Sequence, residues 1–183
     1  ELDRVGRTPA RFDPDKLRWM NGEYLRSLDD DALNRRMDEW LEVSDSKIAT
    51  LDGERRRAFV DMLKPRVSTF GELDKTGWYF FDRPSEWDAK AAKKHLLKGG
   101  GVERLAAIRP AIATCAPWTP EVIDETVARL AEEHEVGMGK IAQPLRIAVS
   151  GGPASPAIGE TLAFLDQDEV LARIDACVAA HTA

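Results

Sequence analysis

The chain has 183 residues, 43% of them hydrophobic and 32% charged, with a net charge of −6 and two cysteines. That length can bury a real core, in one domain or two small ones, and no stretch approaches the roughly 20 apolar residues of a membrane span. Residues 1–84 carry 16 basic against 18 acidic side chains and residues 85–183 carry 10 against 14, so composition argues against a nucleic-acid partner unless cations cluster locally.

Residues 1–12 lack periodicity and read as a connecting segment. Asp13-Pro14 reads as N-cap and first helical residue of a helix with Leu17, Met20, Tyr24 and Leu25 on one face. Asp29 to Asp31 cap a second helix, which buries Leu33, Met37, Trp40 and Leu41. A third helix spans about 53–64, with Arg55-Arg56-Arg57 in its first turns and Pro65 ending it. Ser68 or Thr69 caps a short helix leading to the aromatic run Trp78-Tyr79-Phe80-Phe81. Asp82-Arg83-Pro84 reads as the break between two helical units.

Beyond the break, Ser85 is expected to cap a helix that ends at Gly99-Gly100-Gly101, and residues 102–116 form another. Thr119-Pro120-Glu121 is a strong start signal for a helix running to about residue 136. In 137–155, Ile141, Leu145, Ala148 and Val149 recur at helical spacing while Arg146 falls off that stripe. Gly151-Gly152 ends this helix, and Ser155-Pro156 reads as the N-cap and first residue of the next. Asp166-Gln167-Asp168-Glu169 has the form of a capping box opening the last helix. The fold class is all-α, nine or ten helices in two packed bundles, with most of the five tryptophans assigned to the core.

Catalytic signatures are missing from the sequence: there is no Walker-type loop, no Rossmann glycine pattern after a strand and no G-x-S-x-G. His95, His134 and His181 are scattered, and the acidic neighbours of His134 diverge around a helix, so no metal site is expected. Cys115 and Cys177 stand alone, as free thiols of a reducing cytoplasm. Residues 150–156 bring a helix end, a tight turn and a new helix start beside Arg146, a corner suited to a polar, partly anionic ligand. Arg55, Arg56, Lys64, Lys90, Lys94, Lys98 and Lys140 are the candidate contacts to an RNA backbone.

The run Gly139-Lys140-Ile141-Ala142-Gln143-Pro144-Leu145-Arg146-Ile147-Ala148-Val149-Ser150-Gly151, followed by Ser155-Pro156, resembles the anticodon-binding domain of bacterial glutamyl-tRNA synthetases. The likeness continues through Glu160-Thr161-Leu162 and Leu171-Ala172-Arg173-Ile174. A second match covers Leu2-Asp3-Arg4-Val5-Gly6-Arg7, Phe12-Asp13-Pro14-Asp15-Lys16-Leu17 and Trp19-Met20-Asn21-Gly22. The resemblance implies that Arg146 contacts an anticodon base and that Ser155, Pro156 and Ile158 complete its pocket. It also implies that Arg66 helps distinguish the third anticodon base, arginine there being the type that separates glutamate from glutamine tRNAs.

On this reading residues 1–28 are the tail of a connecting region, 29–84 a first helical bundle and 85–183 the anticodon-binding bundle. The expected partners are tRNA(Glu) and an upstream catalytic domain of the same enzyme, in a cytoplasmic monomer with no membrane association. The intact enzyme resembled here uses ATP and magnesium. This chain has neither a HIGH-like nor a KMSKS-like sequence and is expected to bind no cofactor and to catalyse nothing alone. A stand-alone helical adaptor that binds protein and a non-catalytic tRNA-binding paralogue are the alternatives.

Overall fold

Local chemistry sets half of the α-helix starts. The computed structural model describes residues 12–182; segment 1–11, including the Leu2 to Arg7 match, lies outside them. Asp13 accepts from the backbone N–H groups of Asp15 and Lys16, both at 3.1 Å, to open α1 (Pro14–Ser27). Asp29 accepts from Ala32 at 2.7 Å to open α2 (Asp30–Leu41), and Asp52 from Arg55 at 2.9 Å to open α3 (Gly53–Leu63). Each cap satisfies an N–H that the helix itself cannot, an effect of about 1 kcal/mol. A single turn, Lys64–Arg66, follows α3, and α4 (Gly71–Gly77) closes the first group of helices.

The described residues divide into two compact units, 12–76 and 77–182. The division precedes Asp82-Arg83-Pro84 because the aromatic run packs within the second unit, where the rings of Phe80 and Phe164 meet edge to face, 4.8 Å apart. In the first unit Met37, Ile48, Phe59, Leu63 and Leu73 form the core. The apolar stripe of α1 is not buried as expected: Leu25 and Gly22 face inward, whereas Leu17, Trp19, Met20 and Tyr24 stay exposed. Periodicity defines a stripe but not what covers it. Here α1 docks through its later turns, where Asn21 Nδ2 donates to the carbonyl of Ser68 and Arg18 pairs with Glu72 at 2.9 Å.

The second unit begins with α5 (Ala89–Ala91), capped by Asp88 and not by Ser85: Asp88 accepts from the N–H of Ala91 at 2.7 Å. The backbone then widens through Ala92–Leu97, with Lys98 N–H bonded to the carbonyl of Lys93, five residues back, at 3.0 Å. Next come α6 (Gly101–Ala113), α7 (Pro120–Glu133), α8 (Gly139–Ser150), α9 (Ile158–Phe164) and α10 (Gln167–His181). Helix α6 packs on α10 and α8, and α7 on α9. At the α7–α9 crossing, a Cβ on Gly159 would lie 2.4 Å from the carbonyl of Pro120. No strand occurs among the described residues; the fold is all-α.

None of the five tryptophans is fully buried, contrary to the expected core placement. Trp118 shows why: its indole N–H donates to the carbonyls of Leu165 at 2.9 Å and Leu162 at 3.2 Å, tying off the end of α9. A large ring with one polar edge suits that intermediate position.

Candidate nucleic-acid interface

Helix α8 carries the central motif. Ile141, Leu145, Ala148 and Val149 are buried, as their spacing predicts, and Pro144 and Ile147 join them. Arg146 is half-buried at the edge of this face. The helix ends at Gly151, whose φ of 75° is left-handed and whose N–H reaches the carbonyl of Ile147 at 2.9 Å. The Gly151 carbonyl accepts from Asp88 N–H at 2.7 Å. A Cβ at residue 151 would approach the Glu86 carbonyl to 3.1 Å and Pro84 Cβ to 3.2 Å. Glycine is therefore required twice, for its dihedral and for the close approach.

The corner then folds back on Arg146. Its Nε donates to Ser155 Oγ at 2.8 Å, and an Nη donates to the carbonyl of Pro156 at 3.3 Å. Ser155 Oγ in turn donates to the Pro156 carbonyl at 3.1 Å and accepts from Thr161 Oγ1 at 3.2 Å. Ser155 is thus not the N-cap expected from Ser-Pro. Helix α9 starts at Ile158, Ala157 occupies the cap position, and no side chain caps it. The hydroxyl instead fixes the orientation of the guanidinium. Pro156 and Ile158 are buried at this bend, so their side chains fix the backbone that receives Arg146. Two of the bonds that hold Arg146 go to neutral acceptors, the Ser155 hydroxyl and the Pro156 carbonyl.

A second arginine, not singled out by the sequence reading, braces the same corner. Arg173 of α10 is 4% exposed. One of its Nη atoms donates to the carbonyls of Val149 and Tyr79, both at 2.6 Å, and its Nε donates to Glu169 at 2.7 Å. Glu169 also receives Arg83, whose Nε lies 2.8 Å from Oε1. The Arg83 hydrogen bond, aided by Arg173, holds the Glu169 carboxyl below its ordinary range, and Glu169 raises Arg83 in return. This chain of charges pins the last turn of α8 to the aromatic turn and to α10. Glu169 and Arg173 stand four apart on one helix, a pairing visible in sequence. Glu169 therefore does not serve the expected capping box, and the N-cap Asp166 makes no side-chain cap bond.

The other candidate cations are dispersed. Arg66 is exposed at the end of the turn after α3, and Lys64 is half-buried in that turn. Arg55 is exposed on α3, whereas Arg56 is half-buried and bonded to Asp38 at 2.6 Å, so a carboxylate already occupies it. Lys90, Lys94, Lys98 and Lys140 are all exposed. The straight 90–94–98 face expected of an α-helix is interrupted by the widened turn over Ala92–Leu97. Arg66, Arg55 and Arg56 lie in the first unit; Arg146, Ser155, Pro156 and Ile158 lie in the second.

A family model described as the anticodon binding domain matches residues 24–178. The chain belongs to this family. Among curated relatives, the glutamate--tRNA ligase 1 of Gluconobacter oxydans is 40% identical over 186 residues, matching all of this chain and 39% of the relative. A glutamate tRNA ligase from Elizabethkingia meningosepticum, crystallised in complex with its amino acid, superposes with a TM-score of 0.83 at 25% identity, over 98% of this chain and 35% of that one. The glutamate-tRNA synthetase of Elizabethkingia anophelis gives 0.81 at 25% identity, over 98% and 34%. The chain therefore spans about two fifths of the curated relative it matches and about a third of the solved ones. Both the Arg146 corner and the Arg173 brace fall inside the matched anticodon-binding domain. Among the described residues of this domain no group of His, Cys, Asp and Glu is placed to hold a metal ion, and no helix is long and apolar enough to cross a membrane.

Proposed function

We propose that this anticodon-binding domain reads the anticodon of tRNA(Glu) on behalf of a glutamate–tRNA ligase whose catalytic portion attaches glutamate. The observation that carries the reading is Arg146, a half-buried guanidinium oriented by Ser155 Oγ and the Pro156 carbonyl at the turn between α8 and α9. An unstacked anticodon base has a flat apolar face and a polar edge. The oriented guanidinium presents its plane to the first and its N–H groups to the second. Because Arg146 is held before RNA arrives, little side-chain entropy is lost on binding. A correct tRNA would so be anchored with its acceptor end directed to the catalytic portion.

Within this reading, residues up to about 28 belong to the joining region, and Arg66 takes part in distinguishing the third anticodon base. The protein works in the cytoplasm as a monomer. ATP and magnesium belong to the catalytic portion; the described residues offer no cluster of His, Cys, Asp and Glu fitted to the metal. Titration with tRNA(Glu) at two salt concentrations tests the proposal. Binding that weakens with salt and prefers the glutamate anticodon supports it. A protein blind to RNA that captures a polypeptide partner would favour an adaptor instead.

A further inference from the structure

The second unit holds a cationic cavity away from the Arg146 corner. It measures about 330 Å³ and is lined by Lys94, His95, Gly137, Gly139, Lys140 and Gln143, with no carboxylate among them. Its walls come from the widened turn and from the first turns of α8. Gly101 lets these two segments meet, since a Cβ there would lie 2.2 Å from the His95 carbonyl and 2.9 Å from Pro144 Cγ. Among the described residues, Lys94 and Lys140 make no ion pair. The first turn of α8 contains no acidic residue and its N-cap, Met138, supplies no side-chain bond, so the N–H groups at that helix end add to the positive field. Both lysine charges reach His95: after burial, Lys94 and then Lys140 lower its pKa from the ordinary value.

We infer that this cavity is a seat for one RNA backbone phosphate, held by Lys94 and Lys140 with the His95 ring and the N-terminus of α8 beside it. The inference rests on the reading of the domain as a tRNA binder and adds to it a sequence-independent anchor. Two exposed lysines that make no ion pair suit a diffuse anion, not a shaped base edge. The acidic net charge of the chain makes such a local positive site necessary for any approach to RNA.

The test compares the full chain with the double variant Lys94→Gln/Lys140→Gln and a charge-matched control, Lys16→Gln/Lys75→Gln. Each is titrated with tRNA(Glu), and with the same RNA carrying a changed anticodon, across a salt series. The expected result is a log–log salt slope shallower by about 0.7–0.9 in the double variant, the loss of one neutralised phosphate. Its preference for the glutamate anticodon should persist, and the control should match the parent. A double variant with the parent's slope overturns the phosphate seat while leaving anticodon reading intact. A parent that binds no RNA fails both, and a second arm then identifies what the cavity takes. In that arm inorganic phosphate is added while the His95 ring protons are followed by NMR. Saturable shifts without RNA binding would mark a free-anion site and overturn the RNA assignment.

Discussion

Replacing Arg173 by methionine should destabilise the 77–182 unit by about 3–5 kcal/mol, the loss expected when two buried carbonyls are deprived of charge-assisted donors. The structure supports that size. The guanidinium is almost sealed from solvent, and methionine fills similar volume without leaving a large void. What disappears are the donors to Val149 and Tyr79, two bonds of 2.6 Å that are charge-assisted and contribute roughly 1.5–3 kcal/mol each. Glu169 keeps Arg83 and some contact with water, so its orphaning adds little. Total stabilities of domains are about 5–15 kcal/mol, so the effect is a large share of the whole. Urea denaturation measures the magnitude, and hydrogen exchange locates it. Amides of α8 and of the 78–82 turn should exchange faster, while those of α2 and α3 stay as in the parent. A shift below about 1 kcal/mol, or faster exchange spread evenly over both units, would refute the assignment of Arg173 as the brace.

Gly151→Ala should lower stability by about 1–2 kcal/mol, because alanine resists the left-handed dihedral and its Cβ presses on Glu86 and Pro84; thermal denaturation reads it. Gly159→Ala should separate α9 from α7, since the new methyl would sit 2.6 Å from Asp124 Cγ, whose carboxylate accepts from Gly159 N–H at 2.9 Å; a lowered urea midpoint with faster exchange in α9 checks it. Glu169 has a depressed pKa, so its contribution is complete above its ordinary value of 4.5 and is lost as pH falls through the lower folded value. Stability of the parent should therefore drop on acidification below about pH 4.5, and Glu169→Gln should flatten that limb. Burial pushes the Cys177 thiol up to about 12, so it should resist a thiol reagent at pH 8 until the chain unfolds.

Much of the helical skeleton was legible because caps are local. Asp13, Asp29 and Thr119 open their helices as read, since a side-chain oxygen two or three residues ahead of an N–H acts without help from the fold. Local rules failed where a long-range partner competed for the same group. The Ser155 hydroxyl serves Arg146 in place of a cap, and Glu169 serves Arg83 and Arg173 in place of a capping box. Placement of Arg146 on the edge of α8 followed from the 3.6-residue period. What holds it there did not, because Ser155 and Pro156 reach it only after the chain has turned at Gly151. The widened turn over Ala92–Leu97 was hidden for another reason: its lysines have ordinary helical spacing, and only packing against α8 reveals the change of geometry.

Anticodon reading at this corner turns on one side chain and one set of bases, and a four-way binding comparison isolates their interaction. Parent and Arg146→Ala are each titrated with tRNA(Glu) and with a transcript differing at a single anticodon position. The parent should favour the cognate RNA by about 1–3 kcal/mol at one or more positions, and the alanine variant should lose that preference while still binding through the backbone. Equal affinity of the parent for every anticodon, or an Arg146→Ala loss of the same size on all of them, would contradict anticodon reading at this corner.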